Sequence, residues 1–262
     1  MVEKEQVRAP RTDRNPDRRP KAVPPATAAA PTTIAPIPTP RHHDNAEMLE
    51  SASPRVVEAL RYLVAREQLG DQSSFPARLA VVSAMKGEGV TTVSQTLASM
   101  IAHDLEAKVC WVDLNFSSDE SSGPQSGERH PRLVDVLTQR CRLDAAFEAT
   151  SNERLTFLRA GSAPRSRRPV LARSTMLDEV FEQLDQLFQY VVLDIPAVLT
   201  SSESLALLRH ARAYLMVVKH GSTTIPQVRA TAEELRTIPS LGVVLNQFEP
   251  HMPKRLQRLF AL

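Results

Sequence analysis

The sequence has only two cysteines in 262 residues, and Cys110 and Cys141 stand too far apart to form a metal-ligand pair. That usage suits a reducing compartment. No apolar run approaches the roughly 18 to 20 residues that span a bilayer, and the N-terminus lacks the hydrophobic core of a signal peptide, so the expected location is the cytoplasm. Neither sign of charge is in excess. With a formal net charge of +2 there is no global basic field of the kind that points to nucleic acid, and none is expected as a partner. Tyrosine is scarce as well: Tyr62, Tyr190 and Tyr214 are the only three.

What is present is ordinary for a soluble globular protein, 42% hydrophobic and 24% charged, in a length that holds one large α/β domain or two small ones. Residues 1–45 are the exception. They hold nine prolines, Ala/Thr repeats and the basic residues Arg11, Arg14, Arg18, Arg19 and Lys21. Such a composition buries too little apolar surface to offset chain entropy, so a disordered basic tail is expected, either a solvated extension or an arm for a partner or anionic lipid. His42 and His43 lie in this tail with no third metal ligand nearby.

Residues 79–94, LAVVSAMKGEGVTTVS, organise the remainder, 46–262. Leu79 to Val82 reads as a strand buried on both faces and Val90 to Ile101 as a helix, joined by a glycine-bearing loop. Loop N–H groups and a helix N-terminus make an anion site. Against the phosphate-loop pattern G-x-x-x-x-G-K-[ST], Gly87 and Gly89 allow close backbone approach and Thr91 offers a hydroxyl to Mg²⁺. Val90, however, occupies the position of the lysine that reaches the β- and γ-phosphates. Lys86 earlier in the loop either swings a substitute ammonium inward or is simply solvated.

Downstream, apolar strands alternate with helical segments. Ser53-Pro54 opens a helix with Val57, Leu60, Leu63 and Val64 on one face, expected beside the first strand; Lys108 to Leu114 is a strand carrying Asp113 at its end; a polar surface loop, SSDESSGPQSGERHP, follows. Leu133 to Leu137 and Leu143 to Phe147 read as short helices, Leu155 to Leu158 as a strand, Met176 to Phe188 as a helix. Tyr190 to Asp194 is a strand that again ends in Asp. A helix near Glu203 to Leu208, strand Ala213 to Val218, helix Gln227 to Leu235 and strand Gly242 to Leu245, followed by Asn246, complete the order. This alternation predicts one three-layer α/β domain around a mostly parallel, doubly wound sheet. In that fold ligands sit at the carboxyl ends of the strands, so Asp113 and Asp194 face the loop, where they coordinate Mg²⁺ and orient an attacking group or else cap the turns that follow.

With these pieces in place, residues 54–248 resemble the cytoplasmic domain of bacterial tyrosine kinases of capsule and exopolysaccharide synthesis (the CpsD/CapB group), within the MinD/ParA class of P-loop ATPases. SAMKGEGVTT is similar to that family's phosphate loop, VCWVDLN to its second Asp motif, LVDVL and LTFLRAG to the spacer between motifs, and FQYVVLDIPAV to the third motif. The resemblance implies ATP or ADP with Mg²⁺ as ligands. Lys86, Gly87, Glu88, Gly89, Val90, Thr91 and Thr92 would surround the phosphates, Asp113 and Asp194 would be the catalytic and metal-binding acids beside Thr91, and Asn246 would lie against adenine. It also implies a membrane-embedded polysaccharide co-polymerase as partner, a homo-oligomer, and a peripheral position at the inner face of the cell membrane. Four departures stand out: Val90 for lysine, Asn115 for the second acid of D-x-D, Gln189 for Asp, and an association helix kept only as Glu58, Arg61 and Val64. The Tyr-rich tail is replaced by PHMPKRLQRLFAL. In residues 253–262, Leu256, Leu259 and Phe260 share one face of a basic amphipathic helix, similar to the membrane-targeting tail of MinD-type ATPases or else packed on protein. Three functions follow: a kinase-like regulatory or scaffold protein with weak or lost phosphoryl transfer, a working MinD/ParA-type ATPase switch, and an interaction module without nucleotide.

Overall fold

A computed structural model of the chain describes residues 53–69, 75–117 and 130–247. The N-terminal tail, most of the polar insert and the C-terminal amphipathic segment lie outside these residues.

Seven strands form one sheet in the order β3-β4-β2-β5-β1-β6-β7: β1 is Arg78–Ser83, β2 Val109–Asp113, β3 Phe147–Ala149, β4 Leu155–Leu158, β5 Tyr190–Asp194, β6 Ala213–Lys219 and β7 Ser240–Asn246. All neighbours are parallel except β3, which pairs antiparallel with β4 at the edge. The predicted mostly parallel α/β sheet is therefore observed.

Each strand presents alternate residues to two apolar layers, since side chains alternate across a strand. One layer takes Val109, Trp111, Leu155, Phe157 and Val192 together with Leu60, Leu63 and Val64 of helix α1 (Pro54–Leu69) and Val93, Leu97 and Ile101 of helix α2 (Val90–Asp104). The opposite layer takes Cys110, Val112, Leu158 and Leu193, and below them Leu133 of α3 (Leu133–Leu137) and Leu177, Val180, Phe181 and Leu184 of α5 (Thr175–Leu187). Those four α5 residues recur at helical spacing, and Ser174 caps the helix by accepting the Leu177 N–H at 3.3 Å. The remaining helices are α4 (Arg168–Leu171), a single turn the sequence pattern did not reveal, α6 (Ser204–Leu208) and α7 (Ile225–Glu234).

Two expectations change. Helix α1 packs on α2 and β7 instead of beside β1, because β6 and β7 extend the sheet on that side; Arg66 Nη2 donates to the Leu241 carbonyl at 2.7 Å, and Arg61 Nε meets Asp104 at 2.8 Å. Leu143 to Phe147 is not a helix throughout. A 3₁₀ turn over Leu143–Ala146 runs into edge strand β3, where Phe147 packs edge-on against Phe188 at 5.6 Å.

Candidate functional site

The loop between β1 and α2 lies over the carboxyl ends of β1 and β5, the place where open α/β sheets take ligands. Its two glycines have φ of +85° and +96°, left-handed values that residues with a Cβ avoid. Gly89 has a second reason to be glycine. A Cβ there would fall 2.0 Å from Asn246 Nδ2, the group that donates to the Glu88 carbonyl at 3.0 Å. The end of β7 is thereby fastened to the turn of the loop, and Asn246 reaches the site as a strut of its backbone.

Glu88 is buried, its carboxylate turned into the protein. One oxygen accepts the Met85 N–H at 3.1 Å and the other the Thr223 hydroxyl, so the charge holds the loop's shape from within. Lys86, Thr91 and Thr92 are exposed, whereas Val90 lies partly buried against the apolar layer of α2. At the position where a phosphate-loop lysine would stand, the side chain therefore packs on the core.

Asp113 and Asp194 end adjacent strands and are register partners. The Thr91 hydroxyl hydrogen-bonds Asp194 from the first turn of α2. Burial raises both carboxyls above the ordinary carboxylate range, and the charge of Asp113 pushes Asp194 higher still. For Asp113, backbone N–H groups of Asn115 (2.7 Å) and Ala160 and the charges of Arg159 and Arg132 oppose the rise. Asp194 Oδ2 is buried and has no hydrogen-bond partner among the described residues. A buried acid with an orphaned carboxylate oxygen, a partly buried acid beside it and a hydroxyl make an all-oxygen donor set that fits Mg²⁺, which keeps water and phosphate among its ligands. No cluster of three or more His, Cys, Asp or Glu among the described residues would hold a metal by itself.

Of the departing residues, Asn115 accepts both the backbone N–H and the hydroxyl of Ser117 in the turn after β2, and Gln189 accepts the Lys108 N–H at 3.1 Å. Asn115 shapes its own turn, and Gln189 ties the start of β5 to that of β2. Further contributors were not singled out from the sequence. Buried Ser94 accepts the Trp111 Nε1–H at 2.9 Å and donates to the Thr91 carbonyl at 3.0 Å, linking β2 to the first turn of α2. Arg132 and Arg159 both bind Glu148. Arg159 could have been found, since it follows strand LTFL as Asp113 closes VCWVD.

No family model matches the chain. The "Putative tyrosine-protein kinase EpsB" of Ralstonia nicotianae is 25% identical over 197 residues, 74% of this chain and 26% of that protein, so the chain spans about a quarter of the length of this relative. The kinase domain of Escherichia coli tyrosine kinase ETK matches with a TM-score of 0.68 at 20% identity, covering 80% of this chain and 82% of that one. The septum site-determining protein MinD complexed with Mg-ADP, from Pyrococcus horikoshii, matches with a TM-score of 0.52 at 20% identity over 71% and 77% of the two chains. The chain's relatives are thus bacterial tyrosine-protein kinases, and its fold is that of the MinD-like P-loop ATPases.

Proposed function

We propose that the chain is a kinase-like P-loop protein of polysaccharide synthesis or export that binds Mg·nucleotide but transfers phosphoryl groups weakly or not at all, and that acts as a regulatory or scaffold subunit on a membrane-embedded co-polymerase. The observation that carries this reading is the split within one loop: Thr91, Asp113 and Asp194 are assembled, while Val90 packs on the core.

Phosphates would rest on the N–H groups of residues 87 to 92 at the N-terminus of α2, where the helix dipole favours anions. Thr91, Asp194 and Asp113 would hold Mg²⁺, whose bound charge neutralises phosphate oxygens. Asn246, whose amide nitrogen donates to the Glu88 carbonyl, would lie against the base. Phosphoryl transfer rests on positioning and charge stabilisation in the transition state, and losing one such donor costs roughly 100- to 1000-fold in rate. With Asp113 and Asp194 retained, Asn115 and Gln189 standing for the pattern's other two acids and the lysine absent, the arrangement favours holding nucleotide over turning it over. Relatives named as tyrosine kinases support the polysaccharide setting through the family resemblance. A working MinD/ParA-type ATPase would use the same cage and differs in turnover.

Calorimetric titration of the purified chain with Mg·ADP and Mg·ATP tests the proposal. Saturable binding of at least Mg·ADP is expected, weakened several-fold or more by Thr91→Ala. No heat with either nucleotide, or an affinity indifferent to Thr91, would overturn it.

A further inference from the structure

The carboxyl edge of β4 carries a charged group beside the acid pair. The register between β2 and β4 runs to Val112 and Leu158, so the next residues out are Asp113 on one strand and Arg159 on the other. Both continue the phase of Trp111 and Phe157, the side on which α2 lies. Arg159 leans back over β2: its guanidinium carbon is 5.8 Å from the centre of the Trp111 ring and 5.5 Å from that of Phe157. Trp111 in turn bonds Ser94, and Ser94 bonds the Thr91 carbonyl. One indole therefore separates Arg159 from the first turn of α2.

Arg132 is brought alongside because the Leu133 N–H donates to the Arg159 carbonyl at 2.8 Å. Glu148 of β3 takes one nitrogen from each arginine, Nη1 of Arg132 and Nε of Arg159, the latter at 2.8 Å. Side-chain exposures of 20%, 23% and 17% for Arg132, Arg159 and Glu148 show a half-buried group, less screened than a surface ion pair. Two guanidinium groups share one carboxylate within this triad, and the charges of both also bear on Asp113. Glu148 engages Arg159 through its inner nitrogen, and the outer two are those suited to a forked contact with phosphate.

We propose that Arg159, braced by Glu148 and seconded by Arg132, provides the cation that faces the terminal phosphate of a bound nucleoside triphosphate, in place of the lysine that Val90 replaces. This rests on the Mg·nucleotide reading above. β4 stands two strands from β5, on the order of 10 Å at ordinary strand spacing, and the Arg159 guanidinium, held by Glu148, lies 5.8 Å from the Trp111 ring of the intervening strand β2. Approach from this side reaches the outermost phosphate and leaves the inner ones to the loop N–H groups. Arg159 is thus a residue that discriminates triphosphate from diphosphate.

The test is titration of the wild type, Arg159→Gln, Arg159→Lys and Arg132→Gln with Mg·ADP and with the Mg²⁺ complex of the non-hydrolysable β,γ-imido analogue of ATP. Arg159→Gln is expected to weaken the triphosphate analogue by about tenfold, the scale of one charge-assisted hydrogen bond, with Mg·ADP changed by less than about twofold. Arg159→Lys should recover part of that loss and Arg132→Gln show a smaller one. Equal weakening of both nucleotides would mean that the arginines only support the fold, and no weakening would mean that they do not reach the phosphate; either overturns the inference while leaving the nucleotide site standing. If Arg159→Gln does not fold, the ratio of the two affinities in Arg159→Lys and Arg132→Gln decides. A wild type that binds neither ligand overturns the underlying reading and this inference with it.

Discussion

Replacing Gly89 by alanine separates two costs that the neighbouring glycine separates for us. At Gly87, φ is +85° and a Cβ would meet nothing within 4 Å, so Gly87→Ala meets only the penalty of a left-handed L-residue, roughly 1 to 2 kcal/mol. At Gly89, φ is +96°, the same penalty applies, and the Cβ would sit 2.0 Å from Asn246 Nδ2 and 3.3 Å from its Cγ. Asn246 must then leave, and the Glu88 carbonyl loses its 3.0 Å partner, at a further cost of about 1 to 3 kcal/mol. Gly89→Ala should therefore cost about 2 to 5 kcal/mol and exceed Gly87→Ala by about 1 to 3. Urea denaturation of both variants reads the difference. Adding Asn246→Ala supplies the control, because with the amide already removed Gly89→Ala should fall back toward the Gly87→Ala value. Equal costs for the two glycines, or fully additive costs for Gly89→Ala and Asn246→Ala, would refute the claim that β7 is pinned to the loop through this contact.

Asp194→Asn should raise the stability of the ligand-free chain at alkaline pH. Its folded-state pKa lies above the unfolded value, so the protonated form is favoured by folding, and wild-type stability is lost as pH rises through and beyond the ordinary carboxylate range. The difference in melting temperature between variant and wild type should grow as pH rises toward about 8 and shrink when Mg²⁺ is added; a pH-independent difference would contradict the burial of Asp194 beside Asp113. Ser94→Ala removes the link from Trp111 to the Thr91 carbonyl and should cost about 1 to 3 kcal/mol, with a shift in the emission of Trp111, the chain's single tryptophan; an unchanged spectrum would show that the indole does not depend on that partner. Glu88→Gln keeps the size of the loop's inner strut but removes its charge, and should weaken Mg·ADP binding by loosening residues 85 to 89, with unchanged affinity as the refuting result.

Legibility followed how local the signal was. The strands that stand in the middle of the sheet, VCWVD and YVVLD among them, are continuous apolar runs because both their faces are covered, and their bounds were readable to within a residue or two. Asp113 and Asp194 were readable from the same runs, since an acid closing a buried strand has to leave the core. What the sequence hid was non-local. That Glu88 turns inward depends on Thr223, 135 residues away, and that Asn246 holds the loop depends on β7 reaching the Glu88 carbonyl. Edge strand Phe147–Ala149 was not apparent, its first residue reading as the end of a helix from Leu143, because three residues carry too little periodicity to tell, and its pairing with β4 decides the matter. Arg132, Glu148 and Arg159 come from three separate elements, so no spacing along the chain announced them.

The central claim, a nucleotide cage whose phosphate loop lacks its phosphoryl-transfer lysine, is tested most directly by following hydrolysis of Mg·ATP at saturating nucleotide for the wild type beside Val90→Lys. The lysine stem can lie on the apolar surface that Val90 covers while its ammonium turns to the phosphates. The account predicts slow or undetectable turnover by the wild type and a rise of roughly 100- to 1000-fold in the variant. Wild-type turnover at an ordinary kinase rate of about 1 to 100 s⁻¹, or no gain from the lysine in a variant that still binds nucleotide, would contradict it.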